Sequence, residues 1–268
     1  MPKFLFWNIN RHDIAGFVRH VAREADADLL ILAECRIKLS KLLETLNDEK
    51  PHYHYAWGAC RHLLFLTRFP PDQLKPLRES PRVSVRSLTM DPHKSILIAA
   101  AHLPSKMNYS DESQFLESVA LSRMIDEAEA KVGHYRTVLM GDLNMNPFEP
   151  GMIGARGGLH AVMNRRIAMR DNRVVQKKKY KFFYNPMWNH LGDTGAGGTF
   201  FFENAEPVCY FWNMFDQVLL RPDLLHRFSP KQVRILTEVR KVPLVDSEGR
   251  PDKEMASDHL PVLLELKF

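Results

Sequence analysis

Cysteine is scarce in this chain. Its three thiols, Cys35, Cys60 and Cys209, lie far apart and match no metal-knuckle spacing. An odd, sparse set argues against a disulfide framework and for a reducing compartment, with each thiol read as a small buried apolar group. Long hydrophobic runs are missing too. Hydrophobic residues make up 45% of the chain, enough for a sizeable core, yet no stretch reaches the roughly 20 apolar residues of a membrane-spanning helix. Residues 1–10 run straight into Phe4-Leu5-Phe6-Trp7, without the basic region, apolar run and cleavage site of a signal peptide. The expected location is the cytoplasm. Neither a repeat of solenoid length nor a low-complexity linker divides the chain. Its 268 residues are therefore read as a single domain, 1–268.

What is present is alternation. Phe4 to Trp7 reads as a buried strand, and residues 12–25 as a helix with Ile14, Phe17, Val18, Val21 and Ala22 on one face. Leu29-Leu30-Ile31-Leu32-Ala33 is a second strand, residues 96–101 a third and residues 137–141 a fourth. The clearest helix covers residues 111–132, with Asp111 as its expected cap and Gln114 three residues on. A final strand alternates Leu260, Val262, Leu264, Leu266 and Phe268. Uninterrupted apolar strands imply sheets covered on both faces. The class is α/β or α+β with layered sheets.

The residues that follow these strands carry the chemistry. The first apolar run ends in Asn8, the second in Glu34, the third in His102, and the fourth in Asp142 with Asn144. Strand ends of layered α/β proteins are where ligands gather. Asp142 and Asn144, two apart in an extended segment, are expected to point the same way. A lone Asn or Asp after a strand is ordinarily a turn residue, but four such coincidences in register ask for more. Carboxylates with a carboxamide and no thiolate suit a hard cation, Mg²⁺ or Mn²⁺. Histidines supply proton transfer near neutral pH. Ser257-Asp258-His259-Leu260-Pro261 sets an acid and a histidine at the start of the last strand, and Asp216 opens another. Asp216 is the natural partner to orient His259.

Taken in order, Phe6-Trp7-Asn8-Ile9, Glu34, Ala101-His102-Leu103-Pro104, Gly141-Asp142-Leu143-Asn144-Met145-Asn146-Pro147, Trp212-Asn213-Met214-Phe215-Asp216 and Ser257-Asp258-His259-Leu260-Pro261 resemble the endonuclease/exonuclease/phosphatase superfamily. That family includes exonuclease III-type enzymes, deoxyribonuclease I, inositol polyphosphate 5-phosphatases and neutral sphingomyelinases. The resemblance implies a four-layer sandwich of two mixed β-sheets flanked by helices. It implies a magnesium-dependent phosphoesterase in which water attacks phosphorus in line. Glu34 is then the principal metal ligand, with Asn8 and Asp258 beside it. Asp142 and Asn144 position water and a phosphate oxygen, and Asp216 with His259 forms a dyad. His102 stands where deoxyribonuclease I-like and phosphatase members carry a histidine and abasic-site endonucleases usually carry a tyrosine. That departure turns the reading away from DNA-repair specificity.

Charge bears on the substrate. The net charge is +5, but residues 165–181 hold eight basic residues and one acid, a net +7 that leaves −2 elsewhere. Arg173, Lys177, Lys178, Lys179 and Lys181 are candidate contacts to a nucleic acid backbone, with Tyr180, Phe182, Phe183, Tyr184 and Trp188 as stacking partners. The competing expectation is a solvated loop whose aromatics enter the core. Residues 192–198, with four glycines, lack the Gly-Lys-Ser/Thr ending of a phosphate loop and read as a plain loop. A nuclease is favoured by the localised charge. A phosphatase of a small molecule or lipid headgroup needs no basic track, and a non-catalytic binder has no need of the full set of acids and histidines.

Overall fold

The computed structural model describes residues 1–91, 94–107, 109–193 and 195–267. Two mixed sheets pack face to face. In the first, strands lie in the order Val233–Ile235, Val262–Glu265, Lys3–Asn8, Leu29–Ala33, Leu63–Thr67, His54–Tyr55. In the second, the order is Leu74–Glu79, Val83–Asp91, Lys94–His102, Thr137–Asp142, Asp216–Leu220, Phe183–Tyr184, Ala161–Val162. Lys3–Asn8 runs parallel to Leu29–Ala33, and Lys94–His102 parallel to Thr137–Asp142, while most other pairs are antiparallel.

Three apolar layers hold the sheets. Phe4, Phe6, Ile31, Ile98, Met140 and Val218 fill the space between them. Leu5, Trp7, Leu30 and Leu32 face outward under helices Ala15–Glu24 and Leu39–Leu46. Leu97, Ala99 and Leu139 do the same under helix Asp111–Val132, through its Leu121, Ile125 and Ala128. Successive residues of a strand point to opposite faces, so a strand buried on both reads as an unbroken apolar run. Helix, sheet, sheet, helix is the four-layer sandwich expected. No helix among the described residues is long and apolar enough to cross a membrane.

Three local expectations need correction. Ser110, not Asp111, caps the long helix: its side chain accepts from Ser113 N, while Asp111 and Glu112 occupy the first turn, where carboxylates favour the helix dipole. Gln114 is buried and donates to the Pro104 carbonyl instead of closing a capping box. The last strand is shorter than its alternation suggests, Val262–Glu265. Leu260 belongs to the outer layer while Val262, Leu264 and Leu266 lie between the sheets, and Phe268 lies outside the described residues.

The topology brings particular ends together. Residues 8 and 34 stand at the ends of one parallel pair of strands, residues 102 and 142 close another, and Asp216 starts its strand directly opposite Asp142. The other end of that strand is closed by the buried Arg221, whose guanidinium meets Glu129 at 2.9 and 3.1 Å and Asp126 at 3.0 Å over the Phe183 ring. Thr137 Oγ1 also donates to Glu129. Glu129→Ala leaves that buried cation without its bidentate partner. It is expected to destabilise the fold by about 3–5 kcal/mol in urea titration, with activity per folded molecule unchanged.

Candidate active site

Asp142 is the hub. Its Oδ2 accepts from Asn8 Nδ2 at 3.0 Å and its Oδ1 from the Asn144 amide at 3.0 Å. The second bond closes a turn, because Asn144 adopts a left-handed φ of 49°. The expectation that Asp142 and Asn144 share a face of an extended segment therefore fails: a side-chain-to-backbone bond of the kind Asp readily forms replaces the strand. Asn144 Nδ2 donates to the Leu103 carbonyl and acts as a strut beneath Asp142. Asn8 is fixed in turn, its Oδ1 accepting from Asn10 N and its carbonyl from Ser257 Oγ.

His102 sits between two carboxylates, its Nε2 3.6 Å from Glu34 and 3.7 Å from Asp142. Both distances exceed a hydrogen bond. Burial lowers its pKa despite the two acids, so the imidazole is neutral. Its Nδ1 is buried without a partner among the described residues. Glu34, just past its strand in a left-handed conformation, pairs with Arg11 at 2.8 Å. The neighbouring Cys35 thiol is pushed up by burial and stays protonated.

On the other side of Asp142, His259 Nδ1 meets Asp216 Oδ2 at 2.8 Å, across 43 residues of sequence. Both are buried. Burial raises the Asp216 carboxyl to about 6 against the pull of His259. Burial also opposes charge on His259, but Asp216, then Asp142 and Asp258, outweigh it and push its pKa up to about 10. The pair titrates as a unit, and at neutral pH its proton belongs on the imidazole. Thr199 Oγ1 accepts from the Asp216 amide, and the Phe200 ring lies 4.7 Å from that of His259. Ligand atoms of Asp142, Asp216 and His259 lie within 4.8 Å of one another, and Asp216 Oδ1 is buried with no partner among the described residues. With His259 protonated and so no ligand, the oxygen donors of Asp142, Asp216 and Glu34, with no thiolate among them, fit a hard divalent cation. Asp258, next to His259, contacts Ser257 Oγ at 3.4 Å and no residue of the Glu34 side among those described.

The sequence matches the Endonuclease/Exonuclease/phosphatase family over residues 5–259. The chain belongs to that family. Solved structures share the fold at low identity. A 3′ phosphatase, NExo, from Neisseria, bound to a product DNA hairpin, is 15% identical with a TM-score of 0.59, covering 100% of each chain. TDP2 from D. rerio, complexed with a single-strand DNA product, is 14% identical with a TM-score of 0.59, covering 100% of this chain and 99% of that one. A family protein from Bacteroides thetaiotaomicron is 15% identical with a TM-score of 0.60, covering 100% and 97%. Among curated proteins no match is found.

In this member of the family the basic segment lies away from the cluster. Residues 172–181 form a hairpin whose base is tied to the far end of the Asp216–Leu220 strand, where Arg221 donates to the Lys181 carbonyl. Five strand residues, about 17 Å, separate that point from Asp216. Lys181 pairs with Asp171 at 2.8 Å and lies over the Tyr135 ring, and Gln176 at the tip bonds Arg156. Arg173, Lys177, Lys178, Lys179 and Lys181 make no contact with the cluster among the described residues. Phe182, Phe183 and Tyr184 are buried, so the aromatics that follow the segment build core.

Residues that sequence reasoning missed stand at the mouth. The His62 ring meets His102 edge to face at 5.8 Å, Arg82 donates to the His102 carbonyl, and Arg11 holds Glu34. None follows an apolar run of the kind that flagged Glu34 or Asp142. Asn146 and Asn213 were visible in motifs, and here they bond each other while Asn146 accepts from Met214 N. Asp216→Asn is expected to drop the His259 midpoint from near 10 towards 6.5, because burial then opposes the charge with its strongest neighbour gone. Imidazole titration by NMR in EDTA reads this directly, and an unmoved midpoint would refute the pairing.

Proposed function

We propose that this chain is a divalent-cation-dependent phosphodiesterase that cleaves nucleic acid by in-line attack of water. The carrying observation is the placement of Asp142 between neutral His102 and the Asp216–His259 dyad, with Glu34 on the far side of His102. Glu34 and Asn8 would hold the cation, Mg²⁺ or Mn²⁺, with Asp142 and Asp258 lending negative charge. When bound, the cation supplies neutralisation of phosphate charge and stabilises the leaving oxygen. Asp142, kept in one orientation by Asn8 and Asn144, aligns the attacking water. Asp216 holds Nδ1 of His259, whose Nε2 has no partner among the described residues and donates to a phosphate oxygen. Neutral His102 presents a hydrogen-bonding edge to the same phosphate.

For nucleic acid as substrate, the support is the family and the cationic mouth formed by Arg11, Arg61 and Arg82, beside a His62 ring that burial and Arg82 keep neutral. The named relatives' DNA complexes point the same way. A second reading, hydrolysis of a small phosphoester, is favoured by one observation: the +7 segment stands away from the cleft. Turnover of single-stranded DNA, RNA, plasmid, inositol phosphates and a generic phosphodiester, measured side by side with Mg²⁺ and with Mn²⁺, separates the two.

Glu34→Gln is expected to remove several kcal/mol of transition-state stabilisation, each 1.4 kcal/mol being tenfold in rate, with the fold intact by circular dichroism. Full activity in excess EDTA would sink the cation requirement. His259→Ala and Asp216→Asn should each slow turnover by roughly 10²- to 10⁴-fold. Their combination should cost little more than the worse single change, because the two act as a unit. Additive losses in the double variant would mean that they act separately.

A further inference from the structure

Exposed aromatic rings gather at this end of the sheet, and no role assigned above uses Phe148 or Tyr210. Phe148 follows the turn that carries Asp142, Asn144 and Asn146, and it is 37% exposed. Tyr210, which leads into strand Phe211–Asn213, is 57% exposed. Their rings meet edge to face at 5.3 Å, and Phe148 meets half-buried Trp188 at 6.2 Å. The footing of this cluster is the catalytic end of the sheet, through the Asn146–Asn213 bond at 2.9 Å and the Asn146–Met214 bond at 2.9 Å. Packing explains Trp188. It does not explain why Phe148 and Tyr210 remain in water.

Charge around the mouth is divided. Beside the rings, Lys106 is consumed by Asp111 and Glu149 at 2.6 and 2.7 Å. Arg61 is exposed on the other flank next to Arg82, its amide and that of neutral His62 both donating to the Pro81 carbonyl. The sheet order makes these flanks opposite. Strand Leu63–Thr67 packs over Lys94–His102, whereas Asp216–Leu220 packs under Val262–Glu265 and against the 3₁₀ turn of Trp188. One flank offers cations and the other offers rings.

Duplex nucleic acid presents phosphates outward and keeps its bases stacked on one another, so an exposed ring cluster gains nothing from it. A single strand presents both at once, and every base has a face to stack. We propose that Phe148 and Tyr210, backed by Trp188, form a base-stacking platform for single-stranded nucleic acid, free or frayed from a duplex end, whose phosphates run past Arg61, His62 and Arg82. This platform rests on the nuclease reading above and narrows its substrate class.

The test uses the full chain with the double substitution Phe148→Ala, Tyr210→Ala. Binding of a fluorescein-labelled oligothymidylate of about 12 nucleotides and of a blunt duplex of equal length is followed by anisotropy in EDTA. Turnover of bis(p-nitrophenyl) phosphate is followed with Mg²⁺ or Mn²⁺. Single-strand affinity is expected to fall roughly 5- to 150-fold, the loss of one stacked base, while duplex affinity and turnover of the small diester hold. The ring-preserving pair Phe148→Trp, Tyr210→Phe should restore single-strand binding. Equal losses for both probes, or unchanged single-strand affinity in the alanine variant, would overturn the platform. So would sedimentation showing that the rings serve self-association, lost in the variant while oligonucleotide binding persists. A wild type that turns over the small diester yet neither binds nor cleaves nucleic acid takes down the nuclease reading and the platform with it. A wild type that cleaves nucleic acid alongside an unaffected variant takes down the platform alone.

Discussion

Two buried carboxylates stand directly opposite each other on adjacent antiparallel strands, Asp142 and Asp216. Like charges so placed repel, and burial without compensation is costly. Almost every polar contact at this end of the molecule answers that repulsion. Asn8 and the Asn144 amide hold Asp142, while the His259 imidazole and its proton hold Asp216. The compensation is incomplete, since Asp216 Oδ1 has no partner among the described residues. A residual negative potential in a partly dehydrated setting is an environment suited to a hard cation.

The sandwich exists, in this sense, to keep that arrangement from relaxing. Parallel pairs bring Asn8 beside Ala33 and His102 beside Asp142, and the long helix and the inter-sheet layer fix both backbones. The opposite end of the same sheet is tied by a buried ion pair between Arg221 and Glu129, so the strand that carries Asp216 is clamped at both termini. Preorganisation of this kind is where most electrostatic catalysis originates.

How much of this was legible in the sequence follows from range. Asn8, Glu34, His102 and Asp142 were found because each ends an apolar run, a signal local to a few residues. Asp216 and His259 were joined by resemblance and by chemistry, and the 2.8 Å bond bears the pairing out. Ser110 as helix cap was missed because Asp111 is an equally good local candidate, and only Ser113 N distinguishes them. The turn at Asn144 was missed because two-residue spacing does not reveal the sign of φ. The charge run at 165–181 was conspicuous but carries no coordinates: composition says that cations are near one another, not what they are near. His62, Arg82 and Phe148 had the opposite problem, ordinary in sequence and made significant only by where the sheet ends meet.

The first strand and the His259 segment are also fastened directly. Trp7 Nε1 donates to the carbonyl of His259 at 2.8 Å across 252 residues, and Ser257 Oγ donates to the carbonyl of Asn8. Chains emerge from the ribosome N-terminus first, at roughly 5–20 residues per second. Until residue 259 has emerged, the polypeptide therefore carries Asn8, Glu34, His102 and Asp142 with no His259 imidazolium beside them and no Val262–Glu265 strand beside Lys3–Asn8. The strand ends stay uncompensated until residue 259 is free to dock. Assembly of this end of the sandwich is therefore a single event that waits on residue 259.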